Sequence, residues 1–227
     1  SSSGQASTLR HKGNHAAALT TALNTDPATS VVDNQSDARI SWIRGDRSNE
    51  QNSTGGILRR RSRIMGDVIN SGPVFKQAAD SNTRGAGYTE FAQTAATRTP
   101  MIYVGANDGM LHGFRAADGK ELFAYIPRAV AEGLNQLTSP AYTHRPYVDG
   151  VPTVNEAQIG GAWKTLLTSG FGGGAQGIFA LDVTKPDSFG ASNVLFEFTD
   201  KDDADMGNIV SQPKIVKLKI PSTSTGG

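Results

Sequence analysis

The chain has 227 residues, enough for one sizeable domain with its own core. Its 22 lysines and arginines balance 21 aspartates and glutamates, so there is no basic field for a nucleic acid or an anionic membrane surface. With no cysteine, disulfides, thiolate metal sites and a cysteine nucleophile are excluded, and no apolar run approaches the ~20 residues of a membrane span.

No signal peptide precedes Ser1-Ser2-Ser3-Gly4, which reads as the interior of a longer parent chain. Residues 1–35 carry few large apolar side chains, and Ala16–Leu23 suits a short helix or a strand that ends before Asn24–Pro27. Ser36 or Asp37 can cap a helix running through Trp42 and Ile43, with Gly45 as its stop. Leu58–Val68 holds arginines at 59, 60, 61 and 63. Ile69–Lys76 follows as a strand, and Gln77–Thr99, rich in Gly, Ser, Thr and Ala, reads as a surface excursion.

Residues 102–125, IYVGANDGMLHGFRAADGKELFAY, then spell three short strands, with tight turns at Asn107-Asp108-Gly109 and Asp118-Gly119. A short helix is expected over 128–137, after Pro127, and a further strand over Trp163–Ser169. Gly170–Gly174, GFGGG, lacks the GK[ST] ending and following helix of a phosphate loop, so a tight β-turn is expected.

The meander recurs. Gly113–Asp118 is echoed by Gly177–Asp182, and Glu121–Tyr125 by Val194–Phe198. A proline-bearing segment precedes each copy, at Ser71–Phe75 and Gly150–Val154, and a third stands at Ser211–Val216. Repeats of this size are the signature of propellers and arrays, in which each unit buries its apolar face only against its neighbours. The expected fold is all-β: part of a β-propeller, with two blades, the first strand of a third, and short inserted helices. Its expected boundaries are a lead-in over 1–57 and a partial propeller over 58–227. Within the propeller, the blades span about 64–126 and 147–199, and the next begins at 209–220.

Several groupings bear side chains capable of chemistry. Arg44-Gly45-Asp46 spells RGD, which on an exposed loop offers a guanidinium and a carboxylate for integrin binding; the alternative is a helix end capped by Gly45. Asp200, Asp202, Asp203 and Asp205 are the calcium candidates by carboxylate density, but the segment lacks the glycine and closing glutamate of an EF-hand loop, which favours a solvated turn. The arginine run reads either as an anion-binding patch or, preferably, as a strand pairing with acids on the neighbouring blade. His11 and His15 are four apart with no third ligand, and His112 is expected to be hydrogen-bonded within its sheet. No G-x-S-x-G elbow is present.

RGD, RRRSRIMGDVINSGPVF, VGANDGMLHGF, YVDGVPTV and ALDVTKP, in that order, resemble the C-terminal β-propeller of the PilC/PilY-type type IV pilus biogenesis and tip-adhesin proteins. The resemblance covers roughly residues 38–219 and implies a modified quinoprotein-like propeller. It implies a non-enzymatic pilus-associated factor on the bacterial surface, acting in pilus extension and retraction, twitching motility and attachment. The implied partners are pilus components, a host-surface ligand and the remainder of the propeller. No cofactor is expected in this chain, and the family's calcium loop is expected beyond residue 227. Two alternatives are a quinone-dependent dehydrogenase and an envelope assembly scaffold; the first is disfavoured because its usual vicinal cysteines are absent. The residues expected to set blade geometry are Gly66, Asp67, Pro73, Asn107, Asp108, Gly109, Asp149, Gly150, Pro152 and Asp182.

Overall fold

Alternating apolar residues flanking Asp-Gly turns dictate antiparallel hairpins, and these dominate the computed structural model, which describes residues 9–10 and 15–217. Strands β1 (Leu9–Arg10), β2 (Val74–Lys76), β3 (Met101–Gly105), β4 (Leu111–Arg115) and β5 (Glu121–Tyr125) form the first sheet, in the order β1-β5-β4-β3-β2. The second is the meander β6 (Thr153–Ile159), β7 (Ala162–Gly170), β8 (Gly177–Asp182) and β9 (Val194–Thr199). Strand β1 was not expected; it adds to β5 in parallel, with Leu9 opposite Ala124.

The sheets stand as successive blades. Their first strands are joined where Lys76 Nζ of β2 meets Glu156 Oε1 of β6 at 2.9 Å. Tyr125 of β5 packs against Phe179 of β8, centroids 5.5 Å apart, and its hydroxyl donates to Glu197 of β9. Phe123 stacks on Phe189 at 3.9 Å, sealing the apolar layer between the blades.

Helices α1 (His15–Leu23) and α2 (Ser36–Ile43) close this layer near the inter-blade segment. Leu23, Trp42 and Ile43 join Leu134 and Leu137 in the core. Buried Arg39 fastens the lead-in by donating to Asp33 Oδ1 at 2.8 Å, Leu23 O at 2.8 Å and Thr138 Oγ1 at 3.2 Å. The cap of α2 lies ahead of both expected residues, Ser36 and Asp37. Gln35 is the N-cap and makes no side-chain cap bond; its own amide donates to Asp33 Oδ1 at 3.1 Å.

The excursion before β3 contains a helix, α3 (Tyr88–Ala96), because a buried aromatic anchors it: Tyr88 meets Trp163 of β7 edge-on at 4.8 Å. The helix expected over 128–137 splits into α4 (Arg128–Ala131) and a 3₁₀ turn (Leu134–Thr138).

The proline-bearing segments act as lead-ins. The β3–β4 turn holds its own lead-in through Gly66 N to Asp108 Oδ2 (2.7 Å) and Asn107 N to Asp67 O (3.0 Å). The same turn holds the next lead-in through Tyr147 N to Asn107 Oδ1 (3.0 Å) and Val148 N to Ala106 O (3.4 Å). One unit later, Asp149 N bonds Phe171 O at 3.3 Å, Gly172 N bonds Ile209 O at 3.2 Å, and Asn208 Nδ2 bonds Gly172 O at 2.8 Å. Gly105 and Gly170 occupy equivalent places at the ends of β3 and β7. A Cβ on Gly105 would overlap Val148 O, and one on Gly170 would lie 2.7 Å from Ile209 O, so each must be glycine.

Met206-Gly207-Asn208-Ile209 thus repeats Met65-Gly66-Asp67-Val68 and opens a third unit. Residues 209–217 form no strand, although one was expected over 209–220; residues 218–220 lie outside the described residues. A first strand is defined by pairing with the second of its sheet, as β2 pairs with β3, and no such partner occurs among the described residues.

Candidate functional site

The C-terminal end of α2, residues 58–67, the β3–β4 turn and β4 enclose two adjoining depressions on the first blade. The wider, about 640 Å³, is lined by Arg44, Gly45, Asp46, Ile64, Met65, Met110, His112, Phe114 and Glu121. The narrower, about 330 Å³, is lined by Trp42, Arg59, Arg61, Arg63, Asp67, Asp108, Tyr142 and His144.

The RGD residues form the terminus of α2. Arg44 is the C-cap, and Gly45 takes φ 103°, the left-handed conformation that ends a helix, with Ile64 packed beneath it. Asp46 N returns to Ser41 O at 3.0 Å, while Ser48 N donates to Asp46 Oδ1 at 2.8 Å and holds that carboxyl below its ordinary pKa. The Arg44 and Asp46 side chains are exposed. The tripeptide is therefore a capped corner presented to solvent.

Beneath the corner lies a charged centre that the sequence only half disclosed. His112 is buried in β4, with Nδ1 at 2.5 Å from Glu121 Oε1 and Nε2 at 3.1 Å from Asp108 Oδ1. Burial opposes protonation, but the two carboxylates outweigh it and raise the imidazole to a pKa of about 10, so His112 is a cation at neutral pH. Asp108 also accepts from Gly66 N and Met110 N. The centre thereby ties lead-in, turn and two strands together. The four-residue step from Asp108 to His112 was readable; its closure by Glu121 depended on strand register.

The arginine run does not form the strand expected of it, nor does it pair with a neighbouring blade. Arg61 reaches back to buried Glu50, Nε to Oε1 2.7 Å, and to Trp42 O at 2.6 Å. Its guanidinium carbon sits 3.7 Å from the Trp42 ring centre. Burial pushes the Glu50 carboxyl up, yet the Arg61 bonds prevail and hold it below its ordinary value. The physical reason is proximity: the flat indole and Glu50 both lie within one loop of the run, and they capture it before any sheet edge does.

The remaining residues named from sequence are placed as follows. Asp149 accepts Asn70 N at 2.9 Å and Asn70 Nδ2 at 2.6 Å, joining two lead-ins. Asp182 Oδ1 accepts Thr184 N at 3.0 Å, and Oδ2 accepts Lys164 Nζ at 2.8 Å. The GFGGG turn closes through Gly174 N to Phe171 O at 3.0 Å. Asp202 accepts from Thr199 N at 2.9 Å and pairs with Arg128 at 3.2 Å, while Asp203 Oδ1 accepts Asp205 N at 3.0 Å and Asp200 is exposed. Among the described residues no three His, Asp or Glu side chains converge as a metal requires. His11 lies outside the described residues.

A family model described as the PilY1 beta-propeller domain matches residues 65–221. The chain belongs to this PilY1 propeller family. It is 42% identical over 207 residues to the type IV pilus biogenesis factor PilY1 of Pseudomonas aeruginosa strain PAK, covering 86% of this chain and 17% of that protein. A PilY1 homolog from Xylella fastidiosa strain Temecula1 is 41% identical over 189 residues, covering 79% of this chain and 15% of the relative. The crystal structure of the P. aeruginosa PilY1 C-terminal domain is similar at TM-score 0.52 and 39% identity, over 63% of this chain and 29% of that one. The chain thus spans less than a fifth of its curated PilY1 relatives. Asp67, Asn107, Asp108, His112 and Asp149, whose hydrogen bonds relay from lead-in to turn to the next lead-in, fall inside the matched PilY1 region; the RGD corner and the Trp42–Arg59–Arg61 group precede it. Among the described residues no helix is long and apolar enough to cross a membrane.

Proposed function

We propose that this chain is a propeller sector of a type IV pilus biogenesis factor, serving without catalysis as a scaffold in pilus assembly, extension and retraction, and surface attachment. The observation carrying this reading is a blade-to-blade relay built from the residues that lie within the family match. Its partners on this reading are pilus components, the remaining blades and a host-surface ligand, at the bacterial surface after export. Exposed Arg44 and Asp46, around Gly45, are the binding residues proposed for attachment. Any calcium is proposed to reside in blades beyond this chain.

The test is exchange of the corresponding segment of P. aeruginosa PilY1 for residues 36–221 of this chain, which carry α2 and the RGD corner as well as the matched propeller region. Restored surface pili and twitching are expected. A chimera that is exported and stable but leaves the cells without pili would overturn the reading. Replacing Arg44 and Asp46 with alanine in an otherwise functional chimera should reduce surface attachment while sparing pilus number; unchanged attachment would remove them from the proposal.

A further inference from the structure

The arginines at 59–63 differ in how far they are satisfied. Arg61 is fully engaged by Glu50, Trp42 O and Asp46 O. Arg59 is positioned but left open. Its Nε donates to Leu137 O at 2.6 Å, and its guanidinium carbon lies 4.4 Å from the Tyr142 ring centre and 5.2 Å from that of Trp42. No described protein group accepts from its Nη1 or Nη2, and neither is buried, since Arg128 Nε is the one buried unpartnered side-chain atom among the described residues. Burial lowers the pKa of Arg59, and Tyr142, Tyr147 and Glu50 offset this only in part. Arg63 is exposed and has no acidic partner among the described residues.

Both arginines line the 330 Å³ cleft. The acids on its wall are already occupied: Asp108 by Gly66 N, Met110 N and His112, and Asp67 by His144 at 2.8 Å and Asn107 at 3.3 Å. What the cleft offers is a guanidinium fork beside two aromatic rings, with a second cation on the same wall.

We propose that this cleft binds one small oxyanion group, a carboxylate or a phosphate, gripped by the free Nη1 and Nη2 of Arg59 with Arg63 as the second cation. The fork matches either group in paired hydrogen bonds, and the Nε bond to Leu137 O together with the Tyr142 and Trp42 rings restricts its direction beforehand, so less side-chain freedom is lost on binding. The volume suits a side-chain-sized ligand rather than an extended polymer.

The test is titration of the full chain, ¹⁵N-labelled, with sodium phosphate and separately with sodium acetate at constant ionic strength, following the arginine Nε–Hε resonances. A saturable shift at Arg59 is expected with at least one anion, and the tighter of the two identifies the group. Arg63→Gln, at an exposed position, should weaken binding about tenfold, the worth of one charge-assisted contact. Arg59→Lys, which keeps the charge and removes the fork, should weaken it at least as much, while Arg60→Gln should leave it unchanged. No saturable shift with either anion would overturn the proposal. Equal binding by wild type, R63Q and R59K, or an equal loss in R60Q, would also do so.

Discussion

Replacing His112 with glutamine tests the charged centre through its proton. Its native pKa of about 10 lies well above the ~6.5 of an unfolded histidine, so between these values the folded chain holds one proton more than the unfolded chain. The stabilisation is therefore fully present below about pH 6.5 and is lost as pH rises toward 10, at up to ~1.4 kcal/mol per pH unit, or roughly 2–3 kcal/mol between pH 7 and 9. Glutamine keeps a hydrogen-bonding side chain between Asp108 and Glu121 but cannot carry the charge. Urea denaturation of both proteins at pH 6, 7, 8 and 9 reads the difference directly. His112→Gln should be most destabilising at pH 6, and the gap should narrow steadily toward pH 9. Parallel curves with a constant gap would show that His112 carries no extra proton in the folded state, refuting the account of the centre as a cation held between two carboxylates.

Two further outcomes follow from the packing. Glu50→Ala strands the buried Arg61 guanidinium and should cost about 3 kcal/mol in chemical denaturation, with a loss under 1 kcal/mol showing that the pair contributes little. Gly105→Ala drives a methyl into Val148 O and should destabilise by roughly 2–3 kcal/mol, whereas Gly119→Ala, in open space, should cost only the strain of its positive φ; equal losses would show that the close approach at Gly105 is unimportant.

The hairpins were legible because Asp-Gly turns and alternating residues encode them locally, as between β3, β4 and β5. The lead-ins were legible through their prolines and their repetition. Helix α3 is not legible in its own composition, which is rich in Thr and Ala; what anchors it is Tyr88 meeting Trp163, a contact between residues far apart in the chain. Strand β1 adds two residues to a distant edge, a pairing that no local pattern announces. At the site, Asp108 was identified as a turn acid, but Glu121 joins it only once the β4–β5 register is set. Arg61 was expected to seek an acid across the sheet, yet Trp42 and Glu50 were nearer.

The turns at 106–110 and 171–175 each clasp the lead-in of their own unit and that of the one after. The spatial joints of this protein are consequently offset from the seams drawn between its sheets, like courses of overlapping tiles. A cut placed right after β9 would look clean on a strand diagram, yet it would strip Gly172 N of Ile209 O and Gly172 O of Asn208. Anyone excising or grafting a unit should carry the residues through Ile209 with it, because the module ends inside the beginning of the next.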